Sequence, residues 1–285
     1  MKSPISSSEE SENEAFGKED FLIVGLGASA GGIQALKEFF ENVPADSDMA
    51  YVVILHLSPD HDSQLAAVLQ QDSAIPVAQV IEKVQVKPNH VYVVPPNRHL
   101  MMEDGSIIVS PNINPEDRRA PVDIFFRTLA ETHGPRAVCV VLSGTGANGS
   151  MGLKRVKECG GAAFVQTPRE AEFDEMPRNS IATDLVDEVL PVAAIPAKIM
   201  AYKLGLDTVQ ISIEAERRPQ DQQQALRDVF SQLRLRTGHD FSNYKRPTLL
   251  RRIERRISIR NLPDLPAYAA FIQQNPDETT ALLKD

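Results

Sequence analysis

Apolar residues recur along this chain in two rhythms. Short unbroken runs of strand length occur at 21–27 (FLIVGLG), 50–57 (AYVVILHL), 137–142 (AVCVVL), 162–166 and 185–190. Runs apolar at every position predict strands covered on both faces. Between them lie segments with apolar residues three and four apart, such as Ile33, Leu36, Phe39 and Phe40. That spacing predicts one buried helix face. Similar helices are predicted at 62–71, 121–132, 150–159 and 196–204, and further strands at 76–80 and 90–94. The apolar pieces 99–102 and 106–110 flank Glu103-Asp104-Gly105 and predict a β-hairpin. This alternation over 20–205 predicts an α/β domain, a doubly wound and mostly parallel sheet with helices on both faces. From about residue 225 only helical segments follow, at 227–235, 248–260, 267–274 and 277–284, punctuated by Pro247, Pro263, Pro266 and Pro276. They predict a small all-α module over 225–285. Residues 206–224, polar and rich in glutamine, read as a linker.

Charge refines this division. The net charge of −9 is unevenly spread over the 285 residues. Residues 1–20 carry six acidic residues against two lysines, a net of −4. With few large apolar groups, residues 1–19 read as a disordered acidic tail. Residues 226–260 carry ten Arg or Lys against three acids, a net of +7. Their basic helix, Arg251 to Arg260, has three open readings: a solvated face, a docking face for an acidic partner, or a nucleic-acid contact. No base-reading motif accompanies it, so no nucleic-acid partner is expected. No run approaches the ~18 apolar residues of a membrane span, and no basic-then-apolar leader opens the chain. Cys139 and Cys159 give neither metal spacing nor a disulfide framework. A cytoplasmic protein without metal or cofactor is expected.

Candidate chemistry gathers at two strand–glycine–helix junctions. The first is Gly25-Leu26-Gly27-Ala28-Ser29-Ala30-Gly31-Gly32. Three readings are open there: a G-x-S-x-G nucleophile turn, a dinucleotide-binding loop, or a tight turn whose serine caps the helix. The second strand weakens the nucleotide reading. A dinucleotide site places Asp or Glu at its end for the ribose hydroxyls, where this chain has Leu55-His56-Leu57. A histidine there suits a serine at the end of an adjacent strand, ~4.8 Å away. The second junction is Ser143-Gly144-Thr145-Gly146-Ala147-Asn148-Gly149. Glycines in such a loop let backbone N–H groups point into a site. The residues themselves lead to a serine acyl hydrolase on a doubly wound sheet, and no further.

Taken together, Gly27-Ala28-Ser29-Ala30-Gly31-Gly32, His56 with Pro59, Pro95 to His99, Ser143-Gly144-Thr145-Gly146 and Met176-Pro177-Arg178 resemble the catalytic domain of chemotaxis protein-glutamate methylesterases of the CheB type. The resemblance covers about 20–205. Residues 226–285 resemble the N-terminal helical part of the companion receptor methyltransferase, the CheR type. There the resemblance rests on Thr237 to Phe241 and on Tyr244-Lys245-Arg246 through Arg256. It extends to that helical part only, so methyl transfer is not expected, and residues 1–20 are too short for a receiver domain.

The resemblance implies hydrolysis of glutamate methyl esters on methyl-accepting chemotaxis receptors, with glutamine deamidation as a second activity. It implies Ser29 as nucleophile, His56 as general base and the position of Asn148 as the group orienting the histidine. The Ala30 and Thr145 backbone amides are the candidate oxyanion donors. This chain departs from the family at the orienting position, for the family carries aspartate where Asn148 stands. An amide oxygen can accept the ring N–H but supplies no negative charge. The alternative is therefore a weakened, methylesterase-like regulatory or binding module. Asp123 and Asp174 are candidate substitute carboxylates.

Overall fold

A computed structural model of the chain describes residues 21–55, 64–96, 98–111, 120–212, 214, 218–238, 241 and 245–285. The expected acidic tail, His56 and Pro59 lie outside the described residues. The chain divides into two compact units, the first ending at Val192 and the second starting at Ala193.

The first unit is built on a seven-stranded sheet. Its strands are β1 (Ile23–Ala28), β2 (Ala50–Leu55), β3 (Val77–Gln79), β5 (His90–Val93), β8 (Ala137–Val141), β9 (Ala162–Gln166) and β10 (Glu188–Leu190). They lie in the order β10-β9-β8-β1-β2-β5-β3, and every neighbouring pair runs parallel. The runs in β1, β2 and β8 are buried throughout, as strands covered on both faces must be. Alternation along β2 shows which helix covers which face. Ala50, Val52 and Ile54 join the cluster containing Val122, Phe125, Phe126 and Leu129 of α3 (Pro121–His133). Tyr51 points the other way and meets Phe39 and Phe40 of α1 (Gly32–Glu41) edge to face. Ile33, expected in the buried stripe of α1, is 40% exposed, and Ala35 takes its place in the buried face.

A second sheet of three strands holds the predicted hairpin, β6 (Arg98–Glu103) with β7 (Ser106–Pro111), and adds β4 (Val84–Gln85). β4 is two residues long, too short to show a periodic pattern. The remaining helices of this unit are α2 (Leu65–Gln70), α4 (Ser150–Glu158) and α5 (Glu175–Ile181). Behind α4, the buried Lys157 Nζ pairs with Asp187 Oδ1 at 2.7 Å, while Asp187 Oδ2 accepts the Ala163 amide at 2.9 Å.

The second unit contains α6 (Ile195–Thr208), α7 (Gln220–Thr237), α8 (Arg246–Ile259), α9 (Leu265–Gln274) and α10 (Pro276–Lys284). Two expectations change here. The helix predicted to close the first domain, α6, groups with α8 in this unit. The expected linker at 206–224 is shorter, since α6 runs on to Thr208 and α7 starts at Gln220 behind Pro219. The core gathers Leu226, Val229 and Leu233 of α7, Ile253 and Ile257 of α8, and Tyr268 and Ile272 of α9.

The basic helix is not a single solvated or docking face. Arg255 and Arg256 are buried. Arg256 binds both oxygens of buried Glu278, at 2.7 and 2.8 Å, and Arg260 adds a contact at 2.7 Å. Tyr268 donates to the same carboxylate, and Arg255 pairs with Asp285. Much of the positive run therefore neutralises acids inside the unit. Arg246 and Arg251 stay exposed.

Candidate active site

Strand order locates the site. The chain leaves β1 for β2 on one side and returns to β8 on the other, so the order reverses between β1 and β8. In a parallel sheet this opens a crevice at the carboxyl ends of the strands, where helix N-termini also converge. Ser29 follows β1 there, and Ser143 to Gly149 follow β8.

The first turn is specific in form. The Ser29 carbonyl accepts the Gly32 amide at 2.9 Å, and Gly31 sits at φ 71°, ψ −3°. A glycine suits this third position of a type II turn. Gly31, not Ser29, is the N-cap of α1, so the serine-cap reading is not realised. Gly25 and Gly27 belong to β1 itself. A side chain on Gly27 would stand 2.3 Å from Val122 Cγ1, and one on Gly25 would press on Phe125 and Phe126. These glycines admit α3 to the sheet, which accounts for the motif that resembled a dinucleotide loop.

The second loop is pressed against the serine. The Ser29 amide donates to the Ser143 carbonyl at 3.0 Å. A Cβ on Gly144 would come within 2.9 Å of Ser29 Cβ and 3.0 Å of its nitrogen. Several groups hold the loop there. The Ser143 amide donates to buried Gln166 Oε1 at 2.7 Å, and its hydroxyl donates to the Ala30 carbonyl at 2.9 Å while accepting the Phe173 amide at 3.0 Å. Gly144 and Met176 bond backbone to backbone, Glu175 accepts the Gly146 amide, and Asn179 donates to the Gly146 carbonyl. Sequence reasoning had no role for Gln166, Glu175 or Asn179. Gln166 carried a signal, a polar residue ending an otherwise apolar strand.

Among the described residues, neither the Ala30 nor the Thr145 amide donates a hydrogen bond. Thr145 is exposed and Ser29 half-buried. Backbone amides left without an acceptor are the kind of donor that can receive an anion forming on a bound carbonyl.

Asn148 precedes Gly149, the N-cap of α4. Its Oδ1 accepts the Asp123 amide in the first turn of α3 at 3.2 Å, and Asp123 Oδ1 accepts the Gly152 amide of α4 at 2.7 Å. Each residue thus caps the other's helix. Asn148 Nδ2 is buried without a hydrogen-bond partner among the described residues. Of the two substitute carboxylates, Asp123 is engaged by Gly152, and Asp174 pairs with Arg178 at 2.6 Å in a partly exposed contact. His56 lies outside the described residues, directly after Leu55, whose partner in the β1–β2 register is Ala28. Among the described residues no cluster of His, Cys, Asp or Glu is arranged to hold a metal, and no helix is long and apolar enough to cross a membrane.

Comparison with known proteins agrees with this architecture. Residues 24–199 match the family model described as CheB methylesterase, and residues 224–285 match the all-alpha domain of CheR methyltransferase. An uncharacterized 104.1 kDa protein of Rhodobacter capsulatus is 32% identical over 243 residues, 78% of this chain and 25% of that protein. A protein-glutamate methylesterase/protein-glutamine glutaminase of Hydrogenovibrio crunogenus is 33% identical over 190 residues, 65% of this chain and 50% of that protein. The chain thus spans from a quarter to half the length of these relatives. The crystal structure of the Thermotoga maritima CheB methylesterase catalytic domain matches with a TM-score of 0.59 at 28% identity, covering 64% of this chain and 98% of that one.

Proposed function

Because the chain belongs to the CheB methylesterase family, we propose that its first unit is a serine hydrolase that removes methyl groups from glutamate methyl esters on chemotaxis-type receptors. The observation that carries this reading is half-buried Ser29 at the switch point, packed against the Gly144 backbone, with the Ala30 and Thr145 amides on the same two loops donating no hydrogen bond among the described residues. In the proposed reaction Ser29 Oγ attacks the ester carbonyl while His56 takes its proton. The tetrahedral oxyanion forms against the two amides. His56 then returns the proton to the departing methanol, leaving an acyl-enzyme that water hydrolyses. The register pairing Ala28 with Leu55 supports His56 as the base, since each of the two residues is next after its strand. A glutamine side chain presents the same acyl carbon with ammonia as leaving group, which makes deamidation a natural second activity. We assign this chemistry to the first unit, ending at Val192, and a receptor-directed role to the helical module at 225–285.

A second reading rests on Asn148. As proposed orienting residue it would have to accept the imidazole N–H, yet its Oδ1 already accepts from Asp123. That oxygen has a second lone pair but no negative charge, and the NH₂ beside it, without a partner among the described residues, favours the opposite tautomer. In a serine protease triad the Asp-to-Asn change lowers kcat about 10⁴-fold, or ~5.4 kcal/mol in the barrier. On this reading the domain recognises methylated receptors with little turnover.

Labelling with a fluorophosphonate separates nucleophile from scaffold. The expected result is one phosphonyl group on the peptide carrying Ser29, lost in Ser29→Ala. Equal labelling of that variant would overturn the assignment.

A further inference from the structure

We propose that Asn148 is a latent aspartate, converted in place by the backbone nitrogen of Gly149. The inference deepens the hydrolase reading and its functional consequence rests on it; the chemical step does not. Asparagine is a chemically labile residue, and it is most labile before glycine, where no side chain hinders attack by the following amide. Asn148-Gly149 is such a pair.

Four features of the site favour the step. Among the described residues the Gly149 amide donates no hydrogen bond, so no carbonyl holds it back. The amide of Asp123, in the first turn of α3, donates to Asn148 Oδ1 at 3.2 Å. That bond polarises the side-chain carbonyl and receives the negative charge that builds on its oxygen during attack. Asn148 Nδ2 has no acceptor among the described residues, so nothing retains it as leaving group. Asn148 is only half-buried, and Thr145, Gly146 and Ala147 before it are exposed, so the loop borders solvent.

The reaction balances without an oxidant or a metal. The Gly149 nitrogen gives up its proton and bonds to Asn148 Cγ. The Cγ–Nδ2 bond breaks, and ammonia leaves with that proton. A five-membered imide remains. One water then cleaves the bond between Cγ and the Gly149 nitrogen, restoring the chain with aspartate at position 148. Cleavage at the main-chain carbonyl gives isoaspartate instead. The new carboxylate keeps the Asp123 hydrogen bond through one oxygen and frees the other to accept. It thereby supplies the charge that an amide cannot give the imidazolium. Asn148 is in this sense a positioning residue whose charge is set after synthesis.

The full chain, freshly prepared at pH 6, is incubated between pH 6 and 9 beside Ser29→Ala and Asn148→Gln, whose longer side chain closes the ring poorly. Peptide mapping by fragmentation that distinguishes aspartate from isoaspartate reads position 148. The expected result is a gain of one mass unit there as aspartate, at a rate that rises with hydroxide and is equal in Ser29→Ala. Asn148→Gln keeps its mass. Methanol release then climbs with the aspartate fraction toward that of Asn148→Asp, a gain of up to about 10⁴-fold. An amide that persists at pH 9, or conversion to isoaspartate alone, overturns the proposal. If aspartate forms while neither the aged chain nor Asn148→Asp releases methanol, the conversion stands and the hydrolase reading falls.

Discussion

Gly144→Ala is the sharpest structural test of the site. Gly144 lies outside the glycines at positive φ, so the substitution carries no backbone strain and its effect is steric. The added Cβ would stand 2.2 Å from Met176 Sδ, 2.9 Å from Ser29 Cβ and 3.0 Å from Ser29 N. Carbon contacts favour about 3.5–4.0 Å, so the overlap with Ser29 is roughly 0.5–1 Å and that with Met176 more than 1 Å. Met176 is fully buried and cannot swing into solvent, and the Ser29 nitrogen is tied to the Ser143 carbonyl. The loop must therefore move off the serine by up to about 1 Å. Overpacking of this kind costs about 1–3 kcal/mol of stability, and a displacement of that size about 10² in rate. The control is Gly146→Ala, two residues on, where φ is 81° and nothing lies within 4 Å of the added carbon. It incurs backbone strain of about 1–2 kcal/mol but leaves Ser29 undisturbed. Urea unfolding of both variants, with methanol release by each in the Asn148→Asp background, separates the two effects. The expected outcome is similar destabilisation with turnover lost only in Gly144→Ala. Equal turnover in the two variants would refute the argument that Gly144 is reserved for contact with the nucleophile.

Other consequences are equally concrete. Asp187→Ala leaves Lys157 buried without its carboxylate and should lower unfolding free energy by about 3–5 kcal/mol in a urea titration, whereas an apolar replacement of both partners should recover most of it. Glu278→Ala removes the carboxylate bound by both Arg256 and Arg260 inside the helical unit, with Asp285 3.9 Å from Arg256 in partial compensation, and should cost about 3 kcal/mol, read as earlier loss of helical circular dichroism. Burial holds His133 down to about 4 from 6.5, so the folded state keeps it neutral. That stability is fully present above pH ~6.5 and is lost as pH falls toward ~4, by about 3 kcal/mol in all. His133→Gln should flatten this stretch of the stability–pH curve, and an unchanged slope would contradict the assignment.

The strands with unbroken apolar runs were legible because burial on both faces leaves no room for polar positions, and β1, β2, β8 and β9 fall where those runs lie. Two features were not legible for definite reasons. Periodicity marked α6 as a helix, but which unit it joins depends on contacts with α8 that no local pattern encodes. The positive run of α8 looked like a surface because charge alone does not say which way a side chain faces. Its partners Glu278 and Asp285 lie far along the chain. At the site, Ser29 and the Ser143–Gly149 loop stood out because their glycines interrupt apolar runs. The anchors Gln166, Glu175 and Asn179 did not, because each is one polar residue whose role appears only when the loop is folded onto it.

The most direct test of the account is methanol release from a methylated receptor fragment, measured for the chain as given, for Ser29→Ala and for Asn148→Asp. Release is expected from Asn148→Asp, slower release from the chain with asparagine in place, and none from Ser29→Ala. Binding of the fragment without release by any of the three proteins would contradict a hydrolase and leave recognition as the function of this domain.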